Sequence, residues 1–154
     1  MIPPGGRIVD GEWKQQGIAA RSALDPLRPL VGEWSGHGHC YDQTVQGVFT
    51  VTALLDGSWL EAAETLRDEC NVTVHADRSF YRYNAEADGL EVMQLFEHAH
   101  RSISPVELTE DGFRWITGPG APQLRYRMSP ESISYSVTLP GEDRPAILMT
   151  YTRS

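Results

Sequence analysis

The amino-acid sequence predicts an all-β fold, a single antiparallel up-and-down barrel of eight to ten strands with a short N-terminal helix. Three observations carry that expectation. Apolar and polar residues alternate with a period of two, most cleanly where Ile133, Tyr135, Val137 and Leu139 oppose Ser132, Ser134, Ser136 and Thr138. The alternating runs are short and separated by turn chemistry at Asp56-Gly57, Asn84 to Gly89, Glu110-Asp111-Gly112, Ser129-Pro130-Glu131 and Pro140 to Asp143. A meander of so many hairpins is expected to close, because closure removes its exposed edges.

The elements follow in order. Residues 1–23 hold Pro3-Pro4-Gly5-Gly6 and a weakly patterned polar segment, read as a flexible N-terminal extension to a barrel domain over residues 24–154. Asp25-Pro26 reads as a helix N-cap with proline at the first helical position, giving one turn over Leu27 to Val31. Gly32 ends it and opens a strand with Trp34, Gly36 and Gly38 on one face. Glycine weakens a strand, and there it marks a bend, a bulge or the close approach of a ligand or another backbone. One large anchor followed by almost no side chain suits a barrel with a cavity. Strands are then expected over Val45 to Leu55, Ser58 to Leu66 and Asn71 to Tyr83. Leu90 to Ser104 reads as one long strand or a bent pair ended by Pro105. Val106 to Leu108, Phe113 to Thr117, Gln123 to Met128, Ile133 to Leu139 and Ala146 to Thr152 complete the sheet.

Length and charge bound the function. A chain of 154 residues fits one domain with a real core. The net charge of −8 argues against a nucleic-acid partner and disfavours anionic membrane surfaces. The densest basic segment, Arg125-Tyr126-Arg127, is a strand with alternating faces rather than a patch. Two cysteines, Cys40 and Cys70, are too few for a disulfide framework, and no signal pattern or long apolar run is present. The expectation is a cytoplasmic protein with reduced cysteines. A homodimer stays open.

The motif Leu30-x-Gly32-x-Trp34-x-Gly36-x-Gly38, the short helix before it and the meander after it resemble the nitrobindin-type, heme-binding-like β-barrels. These belong to the calycin group, with the lipocalins and fatty-acid-binding proteins. The likeness covers Leu27 to Arg153. His75 to Arg82 is similar to the strand in which that family's distal-side histidine begins a segment ending in aromatic-x-Arg, which implies that His75 points into the cavity. The family's last strand carries the histidine that ligates heme iron. Here Pro145 to Tyr151 contains no histidine, and Ala146 or Leu148 stands in that place. Heme iron needs a strong axial donor, so no cofactor is expected and heme is disfavoured.

Four of the five histidines form two His-x-His pairs, each pair on one strand face about 7 Å apart. His37 and His39 share the face of Ser35 and are expected in solvent. His98 and His100 share a face with Leu90, Val92, Gln94 and Phe96 and are expected in the lumen, orienting a polar ligand group rather than binding metal. The candidate ligand-binding residues are Trp34, Trp59, His75, Tyr81, His98, His100, Trp115 and Tyr126; no metal site is expected. Arg82, Arg114 and Arg125 fall opposite the aromatic positions of their strands by parity. Nucleophile-elbow, P-loop and zincin spacings are missing, although Glu61 or Glu64 could meet His75 as an acid–base pair. The function expected is therefore binding of a small, mainly apolar or amphipathic molecule. The alternatives are an isomerase, cyclase or dehydratase with a lumenal histidine as base, and a heme-binding protein.

Overall fold

The structure, a computed structural model, describes residues 10–96 and 101–154. Its centre is a closed antiparallel barrel of β1 (Gly32–Cys40), β2 (Gln43–Leu54), β3 (Trp59–Arg67), β4 (Thr73–Asn84), β5 (Gly89–Phe96), β6 (Arg101–Thr109), β7 (Gly112–Trp115), β8 (Gln123–Met128), β9 (Ser132–Thr138) and β10 (Ile147–Arg153). Each strand pairs with its neighbour in sequence, and β1 pairs with β10 from Trp34↔Arg153 to Cys40↔Ile147. The all-β up-and-down barrel read from the alternation is the observed fold.

Of the flexible extension expected over residues 1–23, the described part, residues 10–23, is helical. Asp10–Ala23 forms α1, a 14-residue α-helix that packs on β4. Lys14, Gln15, Gln16, Ala19 and Ala20 are good helix formers, but they build no apolar stripe, so a helical period does not show in the sequence. Asp25–Leu30 follows as a 3-10 helix. Leu24 takes the cap position without a side-chain cap, while Asp25 accepts a hydrogen bond from Arg28 Nε at 3.1 Å. This helix plugs one end of the barrel. Leu24, Leu27 and Leu30 are fully buried, and Trp34 Nε1 donates to the Leu30 carbonyl at 2.8 Å. Arg28 fastens the plug to the β2–β3 turn by donating to the Gly57 carbonyl at 3.2 Å.

Pro105, expected to end a strand, lies inside β6 opposite Glu91, its carbonyl accepting from the Ile116 amide at 2.8 Å. The glycines of β1 serve closure. A Cβ at Gly36 would meet the Thr150 carbonyl and one at Gly38 the Leu148 carbonyl, so β10 approaches closer than any other residue would allow. Among the described residues no helix is long and apolar enough to cross a membrane. Cys40 is buried, Cys70 is exposed, and both are free.

Candidate functional site

The barrel holds a cavity of about 850 Å³ at the end away from the plug. Its mouth is framed by Tyr41 and Asp42 of the β1–β2 turn, by Thr117, Ala121 and Pro122 between β7 and β8, and by Leu139 after β9. Inside, the two walls differ in chemistry. β3 to β6 present a polar surface, and β7 to β10 an aromatic and aliphatic one.

The polar wall starts from a carboxylate on an otherwise apolar face. β3 turns Leu60, Ala62, Glu64 and Leu66 inward, and Glu64 is only 5 % exposed. Burial, and secondarily the nearby Asp77 carboxylate, push the Glu64 carboxyl up to about 7. Tyr135 Oη donates to Glu64 Oε1 at 2.5 Å and Tyr151 Oη to Oε2 at 2.6 Å, which offsets part of that penalty. Room for this clamp comes from Gly47 on β2, where a Cβ would collide with the Tyr151 hydroxyl.

On β4, His75 and Asp77 both face inward, with Nε2 and Oδ2 2.5 Å apart. Asp77 stands directly opposite Glu64 across the β3–β4 pairing. Donor atoms of Glu64, His75 and Asp77 lie within 4.8 Å of one another. The 2.5 Å contact is a hydrogen-bond distance, whereas donor atoms around a tetrahedral zinc ion stand roughly 3.3 Å apart. As placed, the cluster can accept, hold and pass protons; it would hold a metal only with His75 and Asp77 separated.

Gln94 on β5 and Ser104 on β6 continue the wall, each 7 % exposed and lining the cavity. Neither side chain hydrogen-bonds another described residue, yet among the described residues no side-chain nitrogen or oxygen is sealed away without a partner. Their polar atoms therefore open onto the cavity.

Across from them, Trp115, Tyr126 and Tyr135 line the apolar wall with Leu124, Val137 and Ile147. The rings form a ladder along neighbouring strands: Phe113 stacks on Tyr126 at 4.6 Å, and Tyr126 on Tyr135 at 5.1 Å. Trp115 Nε1 donates to Tyr81 Oη at 3.2 Å. Burial raises the hydroxyls of Tyr81, Tyr126, Tyr135 and Tyr151, which keeps them protonated as donors.

Of the residues expected to bind ligand, the structure brings His75, Trp115 and Tyr126 to the cavity, with Tyr81 behind Trp115. Trp34 faces inward but belongs to the plugged end, where Arg153 covers its ring at 4.1 Å. Trp59 is a correction: β3 buries its even-numbered residues, so Trp59 lies on the outer face beneath Arg82, 5.5 Å from its ring. His98 and His100 lie outside the described residues. His37 is exposed, as expected. Arg82, Arg114 and Arg125 point outward to Glu91, Glu107 and Asp111.

The position assigned to the missing iron ligand also shifts. Leu148 faces solvent at 40 % exposure, and β10 turns Ile147, Met149 and Tyr151 inward. None is a histidine, and Tyr151 is committed to Glu64.

Sequence reasoning named Glu64 only as a partner for His75, and it passed over Asp77, Gln94 and Tyr151 as site residues. A readable signal existed for Glu64, a carboxylate in the apolar series Leu60, Ala62, Leu66. Comparison of the chain with protein-family models and with curated proteins finds no match.

Proposed function

We propose that this barrel binds a small, mainly apolar or amphipathic molecule in its cavity, as a cytoplasmic nitrobindin-type member of the calycin group that holds no heme. The observation that supports this best is the pairing of the two walls. A cavity of about 850 Å³ sets an aromatic ladder against a short row of polar groups, and it falls within the usual range for ligand sites, roughly 300–1,000 Å³. The apolar wall supplies affinity, and Glu64, His75, Asp77 and Gln94 fix orientation. Heme fits these residues poorly, because the last strand offers iron no imidazole.

Native mass spectrometry of freshly purified protein provides the test. The expected spectrum shows a small molecule released on denaturation, and added hemin gives no Soret shift. Protein that emerges at its apo mass after every mild preparation, and that takes up no small apolar molecule, sinks the reading. A stoichiometric Soret shift would transfer the cavity to heme.

A further inference from the structure

The two walls constrain the ligand's charge as well as its shape. Among the described residues lining the cavity there is neither lysine nor arginine, while Asp42, Glu64 and Asp77 are present. The histidine there, His75, already meets Asp77. Among the described residues, a carboxylate ligand of the fatty-acid kind would therefore meet three acids and no guanidinium or ammonium.

The same wall is arranged to accept hydrogen bonds. Glu64 and Asp77 stand directly opposite each other on adjacent strands, a pairing that like charges disfavour and that a proton on Glu64 or a cation between the two relieves. An ionised carboxylate has about four acceptor sites, and Tyr135 and Tyr151 occupy two at Glu64. Gln94 gives an independent indication. It is more than nine-tenths buried, faces the cavity and hydrogen-bonds no described side chain or backbone group, so its carboxamide is left for a ligand. Across the cavity, Trp115 and Tyr126 offer aromatic surface for a ring to pack on, with Tyr126 held between Phe113 and Tyr135 in the stacked ladder.

Building on the ligand-binding reading above, we propose that the cavity takes an organic cation, a ring-bearing amine whose ammonium lies at Glu64 and Asp77 within reach of Gln94 and whose ring lies against Trp115 and Tyr126. The ammonium supplies three donors, for which the Glu64 and Asp77 carboxylates and the Gln94 carbonyl oxygen are acceptors. Its charge relieves the opposition of the two carboxylates, and the hydrocarbon fills the aromatic side.

Three probes of one shape test this by calorimetry on the intact protein: 2-naphthylmethylamine, 2-naphthylmethanol and 2-naphthoate. The amine is expected to bind roughly tenfold or more tightly than the alcohol, and the naphthoate weakest of all. Glu64→Gln and, separately, Asp77→Asn should narrow the ratio of amine to alcohol affinity several-fold, the ratio being read whatever either variant does to the alcohol alone; the second variant keeps the test alive if the first fails to fold. Gln94→Leu should weaken the amine while leaving the fold intact by circular dichroism. Equal binding of amine and alcohol, preference for the naphthoate, or amine binding untouched by both carboxylate variants overturns the proposal while leaving a ligand-binding barrel. Binding of none of the three overturns it as well, and the ligand-binding reading falls only if freshly purified protein also carries nothing.

Discussion

Glu64 sets an unusual sign on the pH dependence of stability. Its carboxyl is raised to about 7 from an ordinary value of 4.5, mainly by burial. Between those values the folded protein holds the proton and the unfolded chain releases it, so raising the pH favours unfolding. The penalty is absent below the unfolded value and complete above about 7, where it amounts to roughly 3 kcal/mol. Glu91, held low by Asn84 and Arg82, acts in the opposite direction at lower pH, but it does so in any Glu64 variant too. Glu64→Gln should therefore lose this slope and gain on the wild type between pH 5 and pH 8 in urea denaturation. Parallel pH profiles for the two proteins would mean that the Glu64 carboxyl is not raised. The tyrosine clamp explains why a carboxylate is tolerated there at all, since Tyr135 and Tyr151 satisfy one oxygen each.

Among the elements, the 3-10 helix does more than its length implies. Asp25–Leu30 is too short to stand alone, yet it carries Leu27 and Leu30 into the barrel end and holds Trp34 by its last carbonyl. Leu27→Ala should cost about 2–5 kcal/mol, because the barrel rim cannot collapse into the space left behind. Leu55→Ala, nearby but 73 % exposed, should stay within about 0.5 kcal/mol. Equal costs in urea denaturation would show that the helix is not a plug. The strands were legible because period-two alternation and turn dipeptides are local signals. Helix α1 was not, since a helix without an apolar stripe leaves no period. Gly36 and Gly38 were legible as a special feature, and of the purposes such glycines can serve it is the close approach of another backbone, that of β10, that they meet, while the cavity lies nearer the mouth. Trp59 shows the same limit in another form, for residue type marks an aromatic, but only the pairing register decides its face.

For the whole molecule, what the sequence leaves open is where along the barrel an inward residue sits. Trp34 and Trp115 both point in, yet one belongs to the plug and the other to the cavity wall. Glu64, Asp77 and Gln94 come from three strands: the β3–β4 register sets Glu64 opposite Asp77, and the β4–β5 register sets Gln94 opposite Ser79, one inward position along β4 from Asp77. Closure ties those ends together physically. Every strand has a partner on both sides, so no edge can peel away without breaking a pairing in the ring. The cavity end is the emptier one, with about 850 Å³ unfilled, and in an open sheet it would be free to loosen first. In a closed ring, loosening β7 and β8 also strips β6 and β9 of partners, which spreads the loss around the barrel. The expectation is a single cooperative transition. Protein labelled with 5-fluorotryptophan makes this visible by fluorine NMR, because Trp34 and Trp115 report from the two ends. Their native resonances should vanish at the same urea concentration. Loss of the Trp115 signal well before that of Trp34 would instead make the cavity end a separate unit, one that opens to its ligand by local unfolding.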